Sequence, residues 1–228
     1  MIYSDQEFHF KDHGSGAVFS DLEFHECYFE GCTVSMTLEV ERRTTVRNMR
    51  LFDCSQRGCL IGCAIIEDCI VDGLNTHGQA LRSMAAVFNR VIFRGKVGTI
   101  MISDLVSSFA DESTQSKFAS ANKEYYRSVD WAIDISEASF VEADLRGMPG
   151  HLVRRDPETQ VLVTREKAQS NEWRELPFKT GWWQTTCSIF LRGDQESTVV
   201  VAPKRSREFR ELMHDLDLLR KAGISEPD

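Results

Sequence analysis

Three of the six histidines, His9, His13 and His25, lie close to the N-terminus. His9 and His13 are four residues apart with Asp12 between them, a mixture of imidazole and carboxylate that suits a zinc-like ion. No second matched pair follows, and an acidic stretch more often carries such side chains toward solvent. No metal and no cofactor is therefore expected. Seven cysteines offer a second chemistry. Cys59 and Cys63 have three residues between them, but a structural metal site needs another matched pair or a histidine pair, and none has that spacing. The His25–Glu26 pair lacks the downstream Pro-Cys-x-x-Cys of a zinc deaminase. No HExxH, GxSxG, GxxxxGK[ST] or strand-borne GxGxxG occurs. Nothing specific points to catalysis, and the chain is not expected to be an enzyme.

Charge is the remaining resource, and it is unevenly placed. Residues 1–40 hold eight acids, among them Asp21, Glu23, Glu26 and Glu30, and the single base Lys11. Residues 41–100 hold nine bases, including Arg47, Arg50, Arg57, Arg90 and Arg94, against five acids. The formal net charge of -8 argues against direct binding of nucleic acid, which needs a basic face. A polarised surface suits a charged protein partner, because complementary fields orient an encounter. Trp182 and Trp183, in a cluster with Trp173, Phe178 and Phe190, are candidate interface anchors, since tryptophan is enriched at binding hot spots. The same cluster also suits the core of a small subdomain.

The elements that position these residues follow a period of five. Quintets run in phase from Ala17 (AVFSD, LEFHE, CYFEG, CTVSM), from Thr44 (TTVRN through CIVDG), from Ala86 (AVFNR, VIFRG) and from Ala138 (ASFVE, ADLRG). The third place is large and apolar, as in Phe19, Phe24, Phe29, Ile61, Ile66, Phe88, Phe93 and Phe140, with Gln56 the exception. The first place is small, and Cys27, Cys32, Cys54, Cys59 and Cys69 all occupy it, which reads as packing of a small hydrophobe. The fifth is mostly Gly, Asp, Asn or another charged residue. Ala143-Asp144-Leu145-Arg146-Gly147 has the Ala-Asp/Asn-Leu-x-x form, and the pattern resembles the pentapeptide-repeat proteins. That resemblance implies a right-handed quadrilateral β-helix of four quintets per coil, with third and first residues stacked inside. It also makes DNA mimicry directed at a topoisomerase an alternative role, although the arginine-rich quintets do not fit an acidic rod.

The expected architecture is mainly β, a solenoid over residues 1–147 carrying an inserted helix at about 111–133, followed by an α+β capping segment over 148–228. Asp111 and Ser113 are plausible helix caps, and Phe118, Ala121, Tyr125, Val129 and Ala132 recur at helical spacing. In the tail, 161–164 and 199–201 read as strands, and 207–222 as an amphipathic helix stopped by Gly223. Leu60, Ile65 and Ile70, in the outward second place of successive quintets, read as an apolar outer face, covered by the 111–133 helix or the C-terminal segment, or else used for a partner or a homodimer. No apolar run reaches the ~20 residues of a membrane span and no signal pattern opens the chain, so a cytoplasmic, membrane-free protein is expected. The expected function is non-catalytic protein binding as scaffold, adaptor or inhibitor subunit. An enzyme with a site on the C-terminal segment is the further alternative.

Overall fold

A quintet with one large and one small apolar residue makes a short strand, and its fifth residue turns the corner. The corners need left-handed backbone: φ is 59° at Asp21, 52° at Glu26, 59° at Gly31, 50° at Asn48, 48° at Asp53 and 66° at Gly58. Only glycine takes this region freely, and asparagine and aspartate come next, which explains the fifth-place residues. The computed structural model describes residues 1–226, so the last two residues of the expected capping segment lie outside the described residues.

The first pass of the chain forms β1 (Ile2–Ser4), β2 (Glu7–His9), β3 (Asp12–His13) and β4 (Val18–Ser20). Each pairs in parallel with a strand of the next pass: Glu23–His25, Tyr28–Glu30, Thr33–Val34 and Thr45–Arg47 respectively. The pattern continues. Arg50–Arg57 runs along Glu23–His25 and then along Tyr28–Glu30. Side-chain hydrogen bonds between passes join residues 21 apart (Asp12 and Thr33), 27 apart (Asp21 and Asn48) and 22 apart (Asp68 and Arg90). The protein is thus mainly β, with a curled parallel sheet of 14 strands and a 4-stranded sheet carrying β4. Inner residues of both sheets, among them Phe24, Val71 and Phe93 from one and Val46, Ile66 and Phe88 from the other, share one core. Every third-place residue of the quintets is buried or half-buried. Gln56, the polar exception, is 3% exposed, and its amide is satisfied at both ends: Nε2 donates to the Gln79 carbonyl and Oε1 accepts from Cys59 N.

Periodic pairing starts earlier than the sequence pattern. Tyr3 is in register with Phe24 and Phe8 with Phe29, ahead of the first recognised quintet at Ala17. Leu60, Ile65 and Ile70 do not form one apolar outer face, and beside Ile65 the outward Val87 is fully buried where the Glu112–Tyr126 helix packs on its strand. Leu60 pairs alongside Thr33 and Arg82, Ile65 alongside Thr45 and Val87, and Ile70 alongside Arg50 and Ile92. Successive quintets lie on successive sides of the pass, so residues five apart are not surface neighbours.

Helix α1 (Glu112–Tyr126) is capped by the Asp111 carboxylate, which accepts from Thr114 N at 2.7 Å. It ends at Tyr126. Val129 and Ala132, which share its spacing, are buried beyond its end, and Ile133–Asp134 is already a strand. A buried clamp seats the helix: the Arg43 guanidinium donates to Asn122 Oδ1 and lies 4.8 Å from the Phe118 ring, while Asn122 Nδ2 donates to the Ala85 carbonyl at 3.2 Å. Burial holds the Arg43 guanidinium below its ordinary pKa.

After Gly147 the chain makes one more parallel contact, Val153–Arg154 on Ile133–Asp134. An antiparallel pair, Gln160–Thr164 with Ser197–Val201, follows. The second strand is buried along its whole length: Val199 and Val201 join the main core, and Val200 joins a second one. That second core is built from helices α2 (Arg165–Gln169), α3 (Trp182–Phe190) and α4 (Phe209–Lys221) with Trp173. Gly150 permits the close crossing, because a Cβ there would stand 2.8 Å from the Thr198 backbone. Asp215, fully buried on α4, ties the loop before α3 by accepting from Lys179 N, Thr180 N and Thr180 Oγ1, each at 2.8 Å.

Candidate functional site

The two ends of the stacked passes differ. Beyond the last pass, Leu152, Val199 and Val201 close the main core. Arg205 fastens the C-terminal segment there, its N–H bonded to the Phe140 carbonyl and its guanidinium to the Val97 carbonyl at 3.1 Å. Lys204 adds an ion pair to Asp156 at 2.9 Å. The basic run Lys204-Arg205-Ser206-Arg207 is therefore in part a fastening.

At the first pass, β1, β2, β3 and β4 each pair on one side only among the described residues. Ile2 is 67% exposed, Phe10 77% and Val18 62%. Behind them the inner residues Tyr3, Phe8 and Phe19 are half-buried, whereas deeper in the same columns Val71 and Phe93 behind Tyr3, Gln56 behind Phe8 and Phe88 behind Phe19 are buried. An unpaired strand edge exposes N–H and C=O groups in a row, and natural proteins cover or use such edges. Here the edge carries Asp5, Glu7, Asp12 and Asp21, with Lys11 as its base.

The candidate charges do not gather into one acidic and one basic patch. Stacking puts acids of one pass beside bases of the next, forming ladders. Glu23 stands 3.9 Å from Arg50 and 2.6 Å from His25; Asp68 takes Arg90 at 2.6 Å; Asp72 takes Arg94 at 2.8 Å. Glu30 is in register with Arg57 and binds His9 at 3.0 Å. Arg47 is exposed in register with Ser20 and Glu67, Asp21 accepts from Asn48 Nδ2, and Glu26 is exposed at a corner. Exposed pairs of this kind contribute little stability each. They fix which outward residues are charge-neutralised locally.

The histidines separate in the same way, because each sits on a different strand. His9 lies on β2 between Glu7 and Glu30, both at 3.0 Å, and the Glu7 hydrogen bond, with Glu30 second, holds its imidazole above the ordinary value. His13 lies on β3 with its ring 4.9 Å from Phe19, and His25 stacks on Phe52. No group of three or more His, Cys, Asp or Glu side chains among the described residues is placed to hold a metal ion. Burial pushes Cys54, Cys63, Cys69 and Cys187 up to about 11, well away from the thiolate that a nucleophile requires.

Of the two tryptophans read as anchors, Trp182 is 36% exposed, but Trp183 is 1% exposed and packs in the second core. Their adjacent places on α3 point them to different sides, so Trp183 has no surface to offer a partner. Sequence reasoning missed β1 to β3 as part of the candidate edge. The signal was there in Tyr3 and Phe8, five residues apart, although small first-place residues do not accompany them. No described helix is long and apolar enough to cross a membrane. No family model, no curated protein and no solved structure matches the chain.

Proposed function

We propose that the chain is a pentapeptide-repeat-like β-solenoid that binds another protein without catalysis, as a scaffold, adaptor or inhibitor subunit, and that contact is made at its N-terminal end. The supporting observation is the contrast between a fastened C-terminal end and a first pass whose four strands are paired on one side only, with Ile2, Phe10 and Val18 exposed. The partner adds a strand or loop to that edge, main-chain hydrogen bonds supplying affinity and the three apolar side chains specificity. Its surface is basic, since the edge carries Asp5, Glu7, Asp12 and Asp21 against the single base Lys11. The same charge opposes two copies meeting end to end, because like charges at an interface cost several kcal/mol. DNA mimicry gains less support, as Glu23, Glu30, Asp68 and Asp72 face arginine or histidine partners.

Affinity capture from an extract of the native host tests this reading, using the wild-type chain and a Phe10→Lys/Val18→Lys variant at low and high salt. A stoichiometric protein held by the wild type at low salt, and lost both at high salt and with the variant, is the expected result. A partner held equally by the variant contradicts it.

A further inference from the structure

The stacked passes are unevenly filled. The first pass and its neighbour contribute aromatic rings in ladders, Tyr3 stacked on Phe24 and Phe8 on Phe29, each pair 5.1 Å apart. The fourth and fifth passes close the interior with Phe88, Val91 and Phe93. On the other sides of the second pass the third-place residues shrink to Val34 and Val46, and in the third pass to Ile61 and Ile66. The result is a cavity of about 570 Å³ with almost wholly apolar walls, running from Tyr3 on β1 to Phe93. Those two residues lie on the first and last of five successively paired strands. At ~4.8 Å between strands the shaft is ~19 Å long. An extended alkyl chain of ~15 carbons has that length, each C–C bond of about 1.5 Å advancing it by roughly 1.25 Å. Interiors are normally packed to crystal density, and an apolar void of this size forfeits contacts that a ligand would restore. At the first pass its lining includes Lys11 and His13. Lys11 is the single base among residues 1–40, and both side chains are exposed.

From this geometry we propose that the interior binds a free single-chain aliphatic carboxylate of about 14–16 carbons, tail inward against the aromatic ladders and carboxylate at Lys11 and His13. The length of the shaft argues for a linear tail over a compact ring system, and Lys11 and His13, with no acid among the lining side chains, argue for an anionic head. The tail occupies the interior, while Lys11 and His13 stand at the strand edge that the protein-binding reading also uses.

The test uses the purified full chain and cis-parinaric acid, a linear polyene carboxylate whose fluorescence rises in apolar surroundings, displaced by saturated carboxylates of increasing length. Binding is expected to be saturable, and competitor affinity to rise about fourfold per methylene, which is ~0.8 kcal/mol for each buried CH₂, until the shaft is full. Beyond that length affinity levels off. An Ile61→Phe/Val46→Phe variant, which fills the middle of the shaft, should melt at or above the wild-type temperature and bind at least tenfold more weakly. Lys11→Ala should weaken the carboxylate several-fold and leave the alcohol of equal length unchanged. Absence of saturable binding, affinity indifferent to tail length, or full binding by the folded filled variant each overturns the proposal. Should the filled variant not fold, the tail-length series on the wild-type chain decides alone. Protein capture is not part of this assay, so either proposal can fail while the other stands.

Discussion

Asp215→Asn isolates one buried carboxylate whose environment is fully specified. The carboxyl is 0% exposed and accepts from Lys179 N, Thr180 N and Thr180 Oγ1 at 2.8 Å, with His214 Nδ1 at 3.2 Å. Burial works to raise its pKa, and the Lys179 and Thr180 hydrogen bonds outweigh burial and hold it below the ordinary carboxylate value. Replacing one oxygen by NH₂ sets a donor against donors and removes two bonds to a charged acceptor. At ~1.5–3 kcal/mol for a charge-assisted bond, partly recovered by relaxation, the loss is about 2–4 kcal/mol. For a chain of this size that lowers the melting temperature by roughly 5–15 °C. Because the folded pKa is depressed, the carboxylate's contribution is complete above its ordinary pKa near 3.9 and disappears as pH falls through the folded value. Thermal melts of both proteins from pH 8 down to pH 3 should show a constant gap down to about pH 5 that narrows below pH 4. A gap under ~0.5 kcal/mol at neutral pH, or one that widens in acid, refutes the reasoning.

Other consequences can be checked independently. Ile66→Asp or Phe93→Asp places an unpaired charge at sites 7% and 6% exposed, so neither variant should fold; a soluble product with unchanged melting would show that these side chains do not face the core. Asn122→Leu takes the acceptor from the buried Arg43 guanidinium and should cost about 2–3 kcal/mol in urea titration, with α1 helicity lost first. Cys54, Cys63, Cys69 and Cys187, buried and pushed up to about 11, should label with a thiol reagent at pH 8 only after denaturation, whereas half-buried Cys32 labels earlier.

Much of the β architecture was legible because a five-residue period fixes both sides of the chain at once. Phe24, Ile66 and Phe93 were placed inside from their spacing alone, and the corner residues Asp21, Asn48 and Asp68 from their types. The first pass was less legible, since Met1, Gln6 and Lys11 stand where the small first-place residue is expected. The candidate surface was read poorly for a geometric reason. Neighbours on the outside are about 20 residues apart in sequence, so Leu60, Ile65 and Ile70 looked adjacent when they are on different sides, and Glu23 looked remote from Arg50 when the two stand 3.9 Å apart. A charge count along the chain gave a polar gradient; stacking converts part of it into ladders. Trp183 needed the α3 packing, because two adjacent helical residues look alike in sequence and differ completely in burial. The hollow interior is a matter of side-chain volume across passes, which no single quintet reveals.

Hydrogen–deuterium exchange of the chain, alone and in complex with the protein it captures, tests the binding account most directly. The amides of β1, β2, β3 and β4, paired on one side only, should exchange readily in the free chain and slow markedly on binding, with α3 and α4 unaffected. Protection confined to the C-terminal helices, or to the strands carrying Arg47 and Arg94 and the corner at Arg90, with the first pass unchanged, would contradict it.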